Sequence, residues 1–427
     1  MISIIRFYVV LILFISLYGC SQRSPDNIFD PDNSKENIEL GFSVFSDDTT
    51  ITLLWNRPVN VNYTDIKIYR KTDIENTFSL YATVPKGIFR FDDKNIQFDI
   101  QHSYYLTVNS QTLETKPTKT ESIIPGPGSI WILDRYQWEV LKLSYDLSST
   151  SIRKLAAWTP ENLAFAHEIG LGLLTYPIFG YAEIFNLQTG EILSGNIDLK
   201  NPYDAVYDNQ HKLFWLIDSS GSMHVIDTTD ASSQLVNQEL DNPVQIDIFQ
   251  QTLFVLDQGV NKIYLFDTTP MLMDSIVQDD QGTNFISIKL FRLDKENQKL
   301  YLLDGEKNKN TLYKYDLNNN IITPVYTDSL IYSFDVNRMD ETIWIVHANK
   351  VNSDLMQLSA DGDRLTNISG FSRPIDVKVN KVNGNVVVSD FLLQAAVFAQ
   401  KVFHYRSDLT LIGTFSTSGD PSKVYIE

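Results

Sequence analysis

A repeated apolar segment constrains the fold of this chain more than any other feature. Seven such segments end at residues 134, 176, 218, 257, 304, 347 and 390, so neighbouring ends lie 39 to 47 residues apart. Self-similarity at this period indicates a repeat architecture. Five segments end in Asp and two are variants: IWILD at 130–134, FWLID at 214–218, LFVLD at 253–257, LYLLD at 300–304 and VVVSD at 386–390, with GLLTY at 172–176 and IWIVH at 343–347.

Each apolar segment is followed by two further strand-like segments, and the last of these is often opened by Pro. These closing segments are LAFAHE at 163–168, PYDAVYD at 202–208, PVQIDIF at 243–249, FISIKLF at 285–291, IYSFDVN at 331–337, PIDVKVN at 374–380 and PSKVYIE at 421–427. Units of about 43 residues fit the four-stranded blades of a β-propeller. The sequence therefore predicts a seven-bladed propeller over 126–427, in which PSKVYIE completes the first blade as its innermost strand. Six or eight blades stay open, because the second unit is degenerate.

This repeat pattern resembles the NHL and YVTN-type propellers along all of 126–427. The resemblance implies the architecture and little about function, because propellers host many activities. Some NHL relatives bind RNA. The 53 acidic and 35 basic residues here give a net charge of −18, which argues against a nucleic-acid partner.

A separate β domain is predicted for residues 38–125, where short alternating segments are divided by turn residues. Trp55 ends TITLLW, DIKIYRKT and FSLYATV follow, and SYYLTVN carries Tyr104 and Tyr105. The segment resembles a fibronectin type III domain, which implies a β-sandwich with Trp55 and one of the two tyrosines in its core. The fold class is thus all-β, a sandwich followed by a propeller, with the sandwich acting as a spacer.

The N-terminus has the features of a targeting signal. Arg6 precedes an apolar run of 11 residues, Phe7 to Leu17, which is too short to span a membrane and fits a secretory signal. Leu17-Tyr18-Gly19-Cys20 resembles the bacterial lipobox. The resemblance implies a signal peptide at 1–19, lipidation of Cys20, a polar tether at 20–37 and a bacterial envelope location, with the outer membrane favoured. An ordinary signal peptide with an incidental cysteine is the alternative.

No motif predicts a catalytic or cofactor site. The single cysteine excludes a disulfide framework and a Cys-based zinc site within one chain, and the six histidines lack metal-ligand spacing. GxSxG, P-loop and GxGxxG motifs are absent from the sequence. Asp134, Asp218, Asp257, Asp304 and Asp390 recur at one strand end, where Asp bonds local backbone amides. We therefore expect structural turns there, with no catalytic residue, metal or cofactor assigned.

One arc of the predicted ring stands out, because the hairpin loops of units seven, one and two are apolar while those of units three to six are polar. Exposed apolar clusters commonly mark interaction sites. The residues expected to form the arc are Tyr136, Trp138, Tyr176, Phe179, Tyr181, Phe391, Leu392 and Leu393. Local packing and contact with the sandwich domain are the alternatives.

The sequence thus predicts a lipid-anchored, non-enzymatic binding or scaffold protein. Its expected partners are the membrane, through the lipid, and an envelope protein or glycan at the arc. The alternative is a propeller hydrolase or lyase that acts on a lactone or an oligosaccharide in the central channel.

Overall fold

The computed structural model describes residues 28–30, 35–47, 49–237, 239–306, 309–348, 353–394 and 397–427. These residues divide into two compact units, with the main boundary after Ile123 and with the short segment Phe45–Thr49 grouped with the second unit. Strands make up almost all the regular structure, and the only helices in the described ranges are two 3₁₀ turns, His167–Ile169 and Pro177–Phe179. Neither turn approaches the length of a membrane-crossing helix. The prediction of an all-β chain is confirmed.

The first unit contains two antiparallel sheets around one apolar core. Ser43–Ser46 (β1), Ile51–Leu54 (β2) and Arg90–Asp93 (β5) form one sheet in the order β1-β2-β5. Asp65–Thr72 (β3), Ser79–Pro85 (β4), His102–Asn109 (β6) and Glu121–Ile123 (β7) form the other in the order β4-β3-β6-β7. Trp55 and Tyr104 are buried in the core. Tyr105 points to the other face of β6, where its ring stacks on Tyr69 with the centroids 4.7 Å apart.

The second unit contains seven four-stranded antiparallel sheets, numbered here 1 to 7 along the chain. Their strands appear in the order inner, second, third, outer, except that the inner strand of sheet 1 comes last in the chain. Sheet 1 consists of β8 (Ile130–Asp134), β9 (Glu139–Leu143), β10 (Thr150–Leu155) and β35 (Pro421–Ile426). Sheet 2 is β11 (Asn162–Ala166), β12 (Leu171–Tyr176), β13 (Tyr181–Asn186) and β14 (Ile192–Asp198). Sheet 3 is β15 (Pro202–Asp208), β16 (Leu213–Asp218), β17 (Ser222–Asp227) and β18 (Ser233–Asn237).

The remaining four sheets repeat the same arrangement. Sheet 4 is β19 (Pro243–Phe249), β20 (Thr252–Asp257), β21 (Lys262–Asp267) and β22 (Leu272–Ile276). Sheet 5 is β23 (Ile288–Asp294), β24 (Lys299–Glu306), β25 (Lys309–Asp316) and β26 (Ile321–Asp328). Sheet 6 is β27 (Ile331–Val336), β28 (Ile343–Ala348), β29 (Ser353–Leu358) and β30 (Arg364–Phe371). Sheet 7 is β31 (Pro374–Val379), β32 (Val386–Gln394), β33 (Val397–Tyr405) and β34 (Leu411–Ser416).

The last strand closes the ring by pairing with the first strand of the unit. β35 runs antiparallel to β8, with Ile426 opposite Ile130 and Val424 opposite Ile132, as the sequence predicted for PSKVYIE. Glu427 then accepts a hydrogen bond from the Trp131 indole at 2.7 Å and lies 3.0 Å from the Lys142 amine. Burial raises the pKa of Glu427, but the His167 hydrogen bond at 3.1 Å, the Lys142 charge and the Trp131 hydrogen bond outweigh burial and lower this pKa to about 2.

Side chains join each inner strand to the next around the ring. The links are Asn162 to Asp204, Asp204 to the Ile246 amide, Gln245 to the Phe291 backbone, Arg292 to Asp335, Ser333 to Asp376, Asp376 to the Val424 amide, and Tyr425 to Asn162. Six links are hydrogen bonds, and the Arg292 Nε to Asp335 Oδ1 pair spans 3.9 Å. Through these links, the Ile246, Phe291 and Val424 amides of the inner strands donate to side chains of a neighbouring sheet.

The strand-ending aspartates fasten the connections between sheets. Each of four accepts hydrogen bonds from two consecutive amides that lead into the inner strand of its own sheet: Lys200 and Asn201 for Asp218, Asp241 and Asn242 for Asp257, Ile286 and Ser287 for Asp304, and Ser372 and Arg373 for Asp390. Asp134 accepts one from the Asp420 amide at 2.8 Å, at the matching place before β35. The interpretation of these residues as structural is confirmed.

A buried histidine couples the last sheet to the first. Nδ1 of His404 in β33 lies 2.6 Å from the Tyr145 carbonyl, which follows β9, and its ring packs edge-on against the Tyr145 ring. Burial lowers the pKa of His404 to about 4. The folded protein therefore holds this imidazole neutral at pH values where an unfolded chain, with a pKa near 6.5, takes up a proton.

We predict that protonation of His404 lowers the free energy of unfolding as the pH falls. The stability that depends on the neutral imidazole is fully present above pH 6.5. It declines by roughly 3 kcal/mol in total as the pH drops toward 4. His404→Asn keeps a donor near the Tyr145 carbonyl and cannot titrate. The difference in the free energy of unfolding between wild type and this variant, measured by urea denaturation from pH 7 to 4, should shrink or reverse along that range. A difference that stays constant with pH would contradict the prediction.

Candidate functional site

The rim of sheets 1 and 2 carries three exposed aromatic side chains in contact with one another. Trp138 lies in the β8–β9 turn, Trp158 in the β10–β11 connection and Phe179 in the β12–β13 turn. Trp158 stacks on Phe179 with the ring centroids 4.2 Å apart and the planes 15° from parallel. Trp138 lies against Trp158 at 5.5 Å. The three rings, here called the rim aromatic cluster, remain 42%, 40% and 42% exposed.

The backbone at Trp138 adopts an unusual conformation for a bulky residue. Its φ is +56°, in the left-handed region that favours Gly and Asn. Asn261 occupies the corresponding place in the β20–β21 turn, four residues after Asp257, with φ +54°. The Trp138 conformation is held by the Asp134 carboxylate, which accepts from the Gln137 amide at 2.9 Å, and by the Ala156 amide, which donates to the Trp138 carbonyl at 2.6 Å. Tryptophan is therefore not the residue that this turn prefers.

A glycine fixes the position of Phe179. Gly180 ends the 3₁₀ turn with φ +69°, and its backbone lies so close to the Leu199 carbonyl that an added Cβ would come within 2.8 Å of that oxygen. The Leu199 amide also donates to the Gly180 carbonyl at 2.9 Å. This anchoring leaves Phe179 and Ile178 on the outer side of the turn, where Ile178 is 75% exposed.

The structure corrects the expectation for two residues of the predicted arc. Tyr176 and Tyr181 are buried in the core between sheets 1 and 2 and stack on each other at 4.5 Å. Tyr176 occupies the position of the strand-ending aspartates, but its hydroxyl donates to Glu183 at 2.7 Å. Glu183 in turn pairs with the buried Lys154 amine at 2.7 Å. Burial, followed by the charge of Glu183, raises the pKa of Tyr176.

The other predicted residues fall in four groups. Trp138 and Phe179 belong to the rim aromatic cluster, joined by Trp158, which the sequence analysis missed. Tyr136 shares the turn of Trp138 and is 69% exposed. Phe391 is half-buried in β32 and takes no part in the ring stacking found among the described residues. The side chains of Leu392 and Leu393 lie outside the described part of the structure, as does Cys20.

A second candidate site is an open cavity of about 340 Å³ lined by residues of the seven inner strands. Its lining is mostly polar and includes both cations and carboxylates. Within the described ranges, no group of three His, Cys, Asp or Glu side chains is placed to hold a metal ion. His347, the variant of the strand-ending Asp in sheet 6, instead lies 3.5 Å from Asp354 and 4.0 Å from Asp328.

Comparisons with known proteins support the architecture. The family model DUF5128, described as a 6-bladed beta-propeller, matches residues 236–411. A search of curated proteins found no match to this sequence. The chain thus contains a β-propeller domain, as predicted. The described structure has seven four-stranded sheets in this unit, one more than the number of blades in the family description.

Several solved structures are also similar. The β-propeller domain of Cps50 (Swd1) from Myceliophteria thermophila is 11% identical with a TM-score of 0.48, over 62% of this chain and 94% of that one. A chain of a nidogen/laminin complex is 16% identical with a TM-score of 0.43, over 60% of this chain and 97% of that one. The WD40 propeller of Doa1 is 11% identical with a TM-score of 0.47, over 62% and 86%. We draw no functional conclusion from them.

We predict that replacing the buried Tyr176 lowers the free energy of unfolding more than replacing the partly exposed Trp158. Tyr176→Ala should lower the free energy of unfolding by about 3–5 kcal/mol, because it removes a buried ring and the partner of Glu183. Trp158→Ala should cost less than about 2 kcal/mol, because its ring is partly in water already. Urea denaturation monitored by circular dichroism measures both. Equal losses for the two variants would contradict this placement.

Proposed function

We propose that this chain is a lipid-anchored protein of the bacterial envelope whose propeller binds another protein through the rim aromatic cluster. One observation carries the proposal: Trp138, Trp158 and Phe179 contact one another, with Trp158 stacked on Phe179, and yet keep about two-fifths of their surface in water. Tryptophan-rich, partly exposed clusters are typical of binding hot spots. Aromatic rings also supply much contact area at little cost in side-chain entropy.

The strained turn supports a role in binding. A tryptophan with positive φ costs on the order of 1 kcal/mol or more relative to a residue that adopts this conformation readily. The same chain uses Asn261 at the corresponding place in sheet 4. Since the fold does not need a tryptophan there, the exposed indole of Trp138 is best explained by what it contacts outside the chain.

A protein partner fits the cluster better than a glycan. The face of Trp158 is already covered by Phe179, so it is not free to stack on a sugar ring. The neighbouring exposed residue Ile178 is aliphatic and offers no hydrogen bond. An apolar centre of aromatic and aliphatic groups with a polar surround is the usual composition of the core of a protein interface.

The propeller is proposed to have seven blades, one for each four-stranded sheet, with β35 as the inner strand of the first. The first unit is proposed to be a fibronectin type III-like spacer. The order β1-β2-β5 and β4-β3-β6-β7, with Trp55 and Tyr104 in the core, supports this assignment. Anchoring through Cys20, after removal of residues 1–19 and through a tether at 20–37, rests on the lipobox resemblance alone. We place the protein at the outer membrane.

A hydrolase or lyase acting in the central cavity is the second candidate, favoured by the polar lining of that cavity. Burial raises the pKa of Asp204 to about 6, which is a useful value for a general acid or base. Both of its oxygens already accept hydrogen bonds, however, from Asn162 and from the Ala205 and Ile246 amides. Asp204 therefore links neighbouring inner strands in this structure, and we favour a binding function over catalysis.

We predict that Trp138→Asn weakens partner binding without weakening the fold. The full chain, purified in detergent, would first capture its partner from the native envelope, and the purified partner would then be titrated. Binding to Trp138→Asn should weaken by at least about tenfold, because a hot-spot side chain is lost. The free energy of unfolding should change by less than about 1 kcal/mol, because Asn suits the left-handed turn.

The matched control replaces equally exposed leucines on outer strands elsewhere, as Leu235→Ser, Leu365→Ser and Leu411→Ser together. This triple variant should bind like wild type. A partner that binds wild type and Trp138→Asn equally would refute the rim aromatic cluster as the site. A protease-resistant polysaccharide as the captured partner would refute the protein assignment and favour a glycan.

A further inference from the structure

The central cavity is shaped for a small ligand. All seven inner strands contribute residues to its wall, and its volume of about 340 Å³ lies at the lower end of the range for small-molecule pockets. It is formed by different residues from the rim aromatic cluster. A ligand in this cavity would therefore bind independently of the partner proposed above for the rim aromatic cluster.

The charges that face the cavity differ in sign from those of the chain as a whole. Lys289, Arg292, Lys378 and Lys423 line it together with Glu161, Asp204 and Asp376, so four cations oppose three carboxylates. The chain carries a net charge of −18. A locally cationic cavity in an acidic protein concentrates anions at that place.

The three carboxylates are engaged by the fold. Asp376 accepts from the Ser333 hydroxyl at 2.8 Å and from the Val424 amide at 3.2 Å. Asp204 accepts from two amides and from Asn162, as described above. Glu161 lies 3.0 Å from the Arg135 guanidinium. These oxygens hold neighbouring strands together, and their ion pairs with the cavity's cations are longer than direct hydrogen bonds.

The contacts of the cations with charged groups are longer, although Arg292 Nη1 donates to the Phe291 carbonyl at 3.2 Å. Lys378 Nζ and Arg292 Nη2 both lie 3.8 Å from the same oxygen of Asp376, and Lys423 Nζ lies 3.8 Å from Glu161. A direct hydrogen bond between such charged groups spans about 2.7–2.9 Å. The Lys289 amine has no hydrogen bond or ion pair within the described ranges.

Two further observations indicate that these cations could bind an anion. Nε of Arg292 is buried and has no hydrogen-bond partner among the described residues, although it lies 3.9 Å from Asp335. Burial lowers the pKa of Lys378, with the charge of Arg292 as the next cause, and burial also lowers the pKa of Lys289. Unpaired buried donors are costly, and an anion bound among them would remove that cost.

We propose that the central cavity binds a small organic acid whose carboxylate lies between Arg292 and Lys378. A carboxylate matches the single excess positive charge of the lining, whereas a phosphate, with nearly two negative charges, exceeds it. Lys289 is three residues from Arg292 on the same inner strand, roughly 10 Å away along it. The rest of the ligand therefore extends along the cavity toward Lys289 and carries polar groups, as a sugar acid does.

Isothermal titration of the full chain in detergent tests this inference, with glucuronate, gluconate and inorganic phosphate as separate probes. We expect one glucuronate or gluconate per chain, since each carries a single carboxylate, with phosphate at least about tenfold weaker. Arg292→Met and Lys378→Met should each weaken binding by at least about tenfold. Lys262→Met, a cation of β21 outside the cavity, is the control and should leave binding unchanged.

Arg292 also approaches Asp335, so Arg292→Met could disturb the ring itself. Lys289→Met provides the second test, because that amine has no hydrogen bond or ion pair among the described residues, and the thermal unfolding of this variant should match wild type. Absence of binding by either carboxylate at about 10 mM would overturn the proposal. Binding that survives Arg292→Met, Lys378→Met and Lys289→Met would also overturn it, as would phosphate binding as tightly as glucuronate.

Discussion

The pairing of β35 with β8 is the interaction on which the rest of the propeller depends. It joins the two ends of the second unit, so that sheet 7 and sheet 2 both meet a complete sheet 1. A sheet ring without this closure would leave β8 as a free edge, open to pairing with other chains. Glu427 adds contacts to Trp131, Lys142 and His167 beyond the last paired residue. The side-chain links around the inner strands are continuous only because Tyr425 of β35 reaches Asn162.

Both candidate sites lie where the repeated pattern of the sheets is broken. Sheet 2 lacks the strand-ending Asp, and its replacement Tyr176 turns inward to a buried network with Glu183 and Lys154. The same turn then presents Phe179 to Trp158 on the outside. At the ring centre, most polar side chains bond the next strand, while Lys378 reaches Asp376 only at 3.8 Å and Lys289 has no hydrogen bond or ion pair within the described residues. Departures from local rules of this kind are where function is expected in a consistent fold.

The repeat made much of the fold predictable, and the failures have physical causes. Strands such as β8 and β15 match their predicted segments because hydrophobic alternation and Asp or Pro punctuation mark their ends. The inner strand of sheet 5 starts at Ile288, three residues later than predicted, because the amides before it bond Asp304. Tyr176 and Tyr181 were predicted at the rim because sequence does not show which way a tyrosine turns. Trp158 was missed because it lies in a connection outside the hairpin loops. The cavity charges come from residues far apart in sequence, and only ring closure brings them together.

The most direct test of the account is a disulfide across the closing pair. Ile130→Cys with Ile426→Cys, in a chain that also carries Cys20→Ser, places two thiols on directly opposite residues, within the Cα separation that a disulfide allows. We predict that both thiols disappear under mild oxidation and that thermal unfolding shifts to a higher temperature. Ile130→Cys with Leu411→Cys, on the outer strand of sheet 7, should keep both thiols free. A folded protein in which the 130 and 426 thiols stay free would contradict the closed ring.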